Sequence, residues 1–184
     1  MPGKTVGISD WLLPWRRFIE VRAINSPSDF EEALALIDAM GKWDAEQSSR
    51  FGVPEVELLE YVYGHTVDTL MEKFRQPGAG FFLARADGIV AGCAGYSKSD
   101  DGIAELQKMY VRTEERGQGA AKGLMTACLD GMRDDGYDRV QLETVSFMRG
   151  AIALYESFGF KPCDQFREIP ASLQPITIFM ERKL

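Results

Sequence analysis

The clearest hydrophobic pattern in the chain lies between residues 103 and 132. An apolar strand, IAELQKMYV, runs to Val111, a charged loop with two glycines follows, and an amphipathic helix begins at about Gly119. The apolar positions of that helix recur at i, i+1, i+4, i+5 and i+8, which predicts one buried side: Leu124, Met125, Cys128, Leu129 and Met132. This strand, loop and helix organise the rest of the chain.

The same periodicities predict the other elements. Alternating or continuous apolar runs predict strands over residues 17–25, 80–86, 89–97, 139–145, about 161–166 and about 175–183. A first helix is expected from a cap at Ser28 or Asp29 to about Met40, ended by Gly41. A second helix should begin at Pro54, with a break at Gly64, and a short one should span about 150–158.

Turn residues predict how the strands connect. Asp87-Gly88 and the run Ser99 to Gly102 each separate two apolar segments, which favours an antiparallel meander that ends at Val111. After the central helix, a strand–helix–strand connection places residues 139–145 parallel to the preceding strand. The result is a mixed sheet.

The loop between strand and helix suits an anion. Gly117 and Gly119 tolerate unusual backbone conformations and leave N–H groups uncovered at a helix N-terminus. A dinucleotide fingerprint also has such glycines, but Lys122 occupies its third glycine position, and the strand before the loop ends an antiparallel meander. A P-loop fails because Lys122 is followed by Gly123. A purely structural glycine turn stays open.

Two motifs resemble a known family. Residues Arg116 to Ala121, RGQGAA, resemble the R/Q-x-x-G-x-G/A signature of the GNAT superfamily of N-acetyltransferases, whose loop holds the pyrophosphate of acetyl-CoA. Residues Ala151 to Phe160, AIALYESFGF, resemble the second signature of that family, A-x-x-L-Y-x-x-x-G-F. The resemblance covers roughly residues 80–184. It implies an α/β fold with a mixed, twisted sheet of about seven strands, splayed between the fourth and fifth, and about four helices.

The resemblance also implies site residues. Cofactor contacts would come from Met109, Tyr110, Val111, Arg116, Gly117, Gln118, Gly119, Ala120 and Ala121. Relatives often carry an asparagine where this chain has Met148, so Ser146 or nearby backbone would replace that contact. The backbone N–H of Met109 would bind the oxyanion, and Tyr155 would give a proton to the leaving thiolate.

The amine acceptor must lose a proton near neutral pH, and a carboxylate can accept it, usually through water. Glu105 occupies the strand position where some relatives carry this general base. Glu143 is the alternative, and a water relay without a single base is the third possibility. His65, the single histidine, is expected to be an ordinary helix residue, and Cys93 and Cys128 to be small core residues.

Composition indicates which classes of partner and bound group are disfavoured. Of 184 residues, 45% are hydrophobic and 27% charged, and the net charge of −7 disfavours binding to nucleic acid. Three widely spaced cysteines disfavour disulfides and a zinc site and suit the cytoplasm, so no metal is expected. Neither a membrane-spanning run nor a signal peptide is expected. Residues 1–16 are interpreted as an N-terminal extension, whose Trp11, Leu12 and Trp15 would pack on the domain or on a second subunit, as in a homodimer.

Residues 17–184 are therefore expected to form one N-acetyltransferase domain that transfers an acetyl or short acyl group from acetyl-CoA to a primary amine by direct attack in a ternary complex. A non-catalytic acyl-CoA-binding regulator is the alternative. The acceptor stays open, since a small-molecule amine and a peptide terminus both fit.

Overall fold

The computed structural model describes residues 17–184, so the expectation for Trp11, Leu12 and Trp15 lies outside the described residues. Its strands are β1 Ile19–Ala23, β2 Gly80–Ala86, β3 Ile89–Asp100, β4 Ile103–Val111, β5 Arg139–Val145, β6 Lys161–Pro162 and β7 Thr177–Lys183. Its α-helices are α1 Pro27–Ser49, α2 Glu55–Leu58, α3 Val67–Phe74, α4 Ala120–Asp134 and α5 Arg149–Ser157. The mixed α/β fold is confirmed, with five helices in place of about four because the second predicted helix divides.

All seven strands form one sheet in the order β1-β2-β3-β4-β5-β7-β6. Strands β1 to β4 are antiparallel, β5 is parallel to β4, and β7 is antiparallel to both β5 and β6. The predicted meander and parallel connection are therefore confirmed. Helix α4 packs on one face through its predicted stripe, and α1 and α3 pack on the other. The two hydrophobic cores lie on opposite faces of the sheet.

The sheet opens between β4 and β5, as expected. These strands pair only from Ile103 with Arg139 to Glu105 with Gln141. Further along, a bulge in β4 places both Lys108 and Met109 opposite a single residue of β3. Within the described chain β4 continues to Val111 without pairing to β5, so a fork forms in the sheet.

Helix α1 corrects two expectations. Its N-cap is Ser26, whose hydroxyl accepts a hydrogen bond from the Asp29 N–H at 3.2 Å, in place of Ser28 or Asp29. It also continues past Gly41 to Ser49. A β-carbon at Gly41 would lie 3.0 Å from the Tyr63 ring, so this glycine permits close packing and does not end the helix.

The second helical stretch breaks where Gly64 predicted. Helix α2 continues into a π-helical segment, Leu59–Tyr63, and the Thr66 hydroxyl caps α3 by accepting from the Thr69 N–H. The strand expected over 161–166 ends at Pro162, which lacks a backbone donor. Among residues 17–184 no helix is both long and apolar enough to cross a membrane.

Candidate active site

The glycine loop has the backbone that its sequence requires. Gly117 and Gly119 have φ angles of +79° and +99°, in the region that side chains disfavour. A β-carbon at either position would meet no protein atom within 4 Å, so the space above the loop is open. Gly119 is the N-cap of α4, which directs the first N–H groups of that helix toward this space. The loop thus fits a phosphate group.

The Arg116 side chain has a structural partner. Its Nε donates a hydrogen bond to the Val111 carbonyl at 3.1 Å, which fastens the loop to the end of β4. Just before it, the buried Glu115 accepts two hydrogen bonds from Arg17, at 2.6 and 2.7 Å. These contacts hold the loop against the sheet.

A cleft of about 900 Å³ runs from the glycine loop to the fork. All the residues expected to contact the cofactor line this cleft except Ser146. The Ser146 N–H donates to the Ile176 carbonyl at 2.8 Å, while its neighbours Phe147 and Met148 line the cleft. The structure therefore brings the predicted cofactor residues together with the exception of Ser146.

One wall of the cleft comes from α1, which the sequence pattern did not associate with the site. Met40 and Trp43 of α1 line it, and Trp43 packs against Phe147 with ring centroids 6.2 Å apart. Phe51 stacks on the same Phe147 ring at 5.4 Å. Trp43 and Phe51 were not associated with the site because Gly41 was expected to end the helix before them.

A smaller cavity of about 100 Å³ lies at the fork and shares Met40, Met109 and Met148 with the large cleft. Tyr155 of α5 lines this smaller cavity and is otherwise buried. Burial raises the pKa of the Tyr155 phenol above its ordinary value of about 10, so the hydroxyl stays protonated near neutral pH. A residue with a protonated hydroxyl thus lines the smaller cavity.

The two candidate bases lie together on one arginine. Arg167, in the segment between β6 and β7, donates from Nε and Nη2 to Glu143 at 2.9 and 2.6 Å. Its Nη1 lies 2.9 Å from Oε1 of the buried Glu105. Burial lowers the pKa of Arg167, but the two carboxylates outweigh this and raise it overall. Glu143 is among the described residues that line the smaller cavity, and Glu105 is not.

A buried acid also lines the smaller cavity. The Tyr63 hydroxyl donates to Asp44 Oδ2 at 2.7 Å, and both side chains are buried. Burial raises the pKa of Asp44, although Tyr63 and Ser48 oppose this by hydrogen bonding. No sequence pattern indicates Asp44, which lies in the part of α1 beyond Gly41.

Lys108 is the remaining charged residue of the smaller cavity. Its Nζ donates to the Val62 carbonyl in the π-helical segment and lies 5.5 Å from the centroid of the Tyr63 ring. Burial, assisted by the charge of Lys73, lowers the pKa of Lys108 to about 8. His65 lies in the same region, and burial, Lys108 and Lys73 lower its pKa to about 4.

Two of the three cysteines are core residues. Cys93 and Cys128 are fully buried, as expected of small core residues, and burial raises the pKa of the Cys93 thiol to about 12. The Cys93 thiol donates to the Lys108 carbonyl at 3.3 Å. A thiol protonated in this way is a poor nucleophile near neutral pH.

Comparison with protein families gives a match of residues 40–160 to the model described as the acetyltransferase (GNAT) family. The uncharacterized N-acetyltransferase YjgM of Escherichia coli is 38% identical over 109 residues, which cover 55% of this chain and 65% of that protein. N-acetyltransferase 8 of Rattus norvegicus is 36% identical over 107 residues, 55% of this chain and 48% of that protein. The chain thus spans between about half and two-thirds of these two relatives.

Solved structures show the same fold. The PaiA N-acetyltransferase of Thermoplasma acidophilum, solved in complex with coenzyme A, has a TM-score of 0.69 and 21% identity, over 91% of this chain and 99% of that chain. A GNAT-family acetyltransferase of Staphylococcus aureus has a TM-score of 0.67 and 18% identity, over 90% and 99%. At these identities the likeness concerns the fold alone.

Proposed function

Since the chain belongs to the GNAT family of acetyltransferases, we propose that it transfers an acetyl or other short acyl group from acetyl-CoA to a primary amine, by direct attack in a ternary complex. The observation that carries this proposal is the continuity of two cavities. The large cleft leads from an open glycine loop to the fork, where it meets the smaller cavity that Tyr155 lines. A cofactor and an acceptor would meet there.

Backbone groups hold the cofactor in this proposal. The N–H groups of Gly117 to Ala121 bind the pyrophosphate, assisted by the positive end of the α4 dipole. The edge of β4 that is free at the fork, up to Val111, pairs with the pantetheine amides as an added strand would. The open space above Gly117 and Gly119 supports this placement.

Three residues serve the reaction. The Met109 N–H donates a hydrogen bond to the thioester oxygen as negative charge develops there. The acceptor nitrogen forms a bond to the acyl carbon while the carbon–sulfur bond breaks, and Tyr155 gives its proton to the departing sulfur. The phenolate that remains takes up the second proton of the acceptor nitrogen, which restores Tyr155. The acceptor ammonium must first lose a proton to a base near the fork. Glu105 is the first candidate from the sequence, Glu143 is the alternative, and a relay through water is the third possibility.

The experiment measures binding and turnover separately. At a concentration a hundredfold above its Kd, acetyl-CoA should stabilise the protein by about 2.7 kcal/mol. Pantetheine, which lacks the pyrophosphate, should stabilise it by far less at the same concentration. Release of the CoA thiol is then followed with a panel of polyamines, amino acids, aminoglycosides and peptide N-termini. Binding without turnover of any amine would favour the regulator.

Gly119→Val should abolish the stabilisation by acetyl-CoA because its side chain would enter the space proposed for phosphate. At φ +99° it also strains the backbone, by about 1–2 kcal/mol. Gly136→Val is the matched control, since Gly136 has φ +82°, equally open space and a position at the other end of α4. Gly136→Val should lower the melting temperature of the free protein as Gly119→Val does. Acetyl-CoA should still raise its melting temperature by as much as in the wild type. Equal shifts in both variants would refute the loop assignment.

A further inference from the structure

Lys108 has a backbone conformation that is unfavourable for a residue with a side chain. Its φ angle is +55°, in the left-handed region that glycine or asparagine adopts more easily. The bulge that contains it turns both Lys108 and Met109 toward the fork, and both line the smaller cavity with Tyr155. Among the non-glycine residues that the structure describes, only Asp87 also has a positive φ angle. A backbone outlier at the wall of a cavity supports a hypothesis of function for its side chain.

The neighbouring carboxylates are already engaged. Glu105 and Glu143 together bind three nitrogens of Arg167, at 2.6 to 3.1 Å. Contacts of this kind between a carboxylate and a guanidinium are charge-assisted hydrogen bonds. Both side chains therefore face Arg167, and Glu105 is not among the described residues that line the smaller cavity.

The Lys108 amine is suited to accept a proton. With a pKa of about 8, an appreciable fraction is neutral near neutral pH, which suits general base catalysis. A neutral amine can donate one N–H to the Val62 carbonyl and keep its lone pair for a proton. The charged and titratable groups around it come from every neighbouring element: Lys73, His65, Tyr63, Asp44, Cys93, Glu105, Glu143 and Arg167.

We propose that Lys108 accepts the proton of the acceptor amine. Glu105 then has no direct role on the substrate, and its charge stabilises the protonated form of Lys108. This proposal rests on the proposed acetyl transfer. The Nζ lone pair takes the proton, and the freed lone pair of the acceptor attacks the acyl carbon. The lysinium is stabilised by the Val62 carbonyl, the Tyr63 ring and the charge of Glu105. It returns its proton to solvent after the product leaves.

The first test compares kcat/KM against pH for the wild type, Lys108→Arg and Glu105→Gln, with the best amine of the panel. Arginine keeps the positive charge and a donor for Val62 but cannot act as a base. Lys108→Arg should lose about a hundredfold near neutral pH and regain rate only toward the pKa of the amine itself. Trifluoroethylamine, already neutral in neutral buffer, should be acetylated by this variant and the wild type at similar rates.

Glu105→Gln separates the two bases. If Lys108 takes the proton, kcat/KM of Glu105→Gln still rises with pH as Lys108 becomes neutral. This rising limb of the profile moves to lower pH, because the lost carboxylate had favoured the lysinium. Loss of the limb in Glu105→Gln, with a wild-type profile in Lys108→Arg, would overturn the proposal in favour of Glu105. Profiles unchanged in both variants would overturn it in favour of a water relay.

The second test needs no acceptor. In protein labelled with [6-¹³C]lysine, the Lys108 signal is identified by its absence in Lys108→Arg, and its midpoint should lie near pH 8. A midpoint at the ordinary lysine value of about 10.4 would overturn the proposal. Failure of acetyl transfer with every amine would instead refute the proposed function, so the two failures are distinguishable.

Discussion

Tyr155→Phe offers the sharpest test of the proposed chemistry because it removes one oxygen atom and keeps the ring. The ring packs on Phe160, with centroids 5.9 Å apart, and that contact is retained. The hydroxyl lies at the smaller cavity, and burial is the cause of its raised pKa. Its removal should change the free energy of unfolding by no more than about 0.5 kcal/mol.

The effect on turnover should be much larger. Loss of one positioned acid usually lowers a rate by about a hundred- to a thousandfold, which corresponds to about 2.7 to 4 kcal/mol of transition-state stabilisation. Since burial keeps the Tyr155 phenol protonated beyond its ordinary range, the ratio of wild-type to variant kcat should stay constant from about pH 6 to 9. The affinity for acetyl-CoA should hardly change.

Tyr137→Phe is the matched control. The Tyr137 hydroxyl donates to the Gly78 carbonyl at 2.6 Å, away from the cleft. Its loss should cost about 0.5–1.5 kcal/mol of stability and leave kcat unchanged, which is the opposite pattern. CoA release measured with a thiol reagent, together with thermal unfolding, checks both variants. A Tyr155→Phe enzyme as fast as the wild type would assign Tyr155 to packing alone.

Two further predictions concern stability. His65 has a pKa of about 4 in the folded protein and about 6.5 in the unfolded chain, so only the unfolded chain binds the proton between these values and stability should fall from pH 6.5 to 4. His65→Asn should lose less stability over this range in denaturant titrations, and parallel curves would contradict the lowered pKa of this half-buried imidazole. Gly41→Ala should be less stable than Gly150→Ala by about 1–3 kcal/mol in the same unfolding assay. Both changes place a helix-favouring alanine in a helix, but only the methyl group at position 41 would lie 3.0 Å from the Tyr63 ring, whereas Gly150 faces open space.

The sequence by itself determined the meander, the glycine loop, α4 and the parallel β5. Each of these depends on signals that act locally. Asp87-Gly88 forms a turn, the φ values of Gly117 and Gly119 require glycine, and the stripe of α4 needs a single apolar partner surface. Because the glycine loop and both its flanking elements are contiguous, the resemblance to the family's motifs names most of the proposed cofactor residues without any tertiary contact.

The tertiary structure decided what happens at the fork. Gly41 has the sequence signal of a helix end, yet the packing of Tyr63 keeps it inside α1 and so brings Trp43 and Asp44 to the site. Arg167 reaches Glu105 and Glu143 from a segment without regular periodicity. The bulge at Lys108 depends on the register between β3 and β4. Such contacts join residues far apart in the chain, and their energies depend on distance and burial, which local residue preferences do not encode.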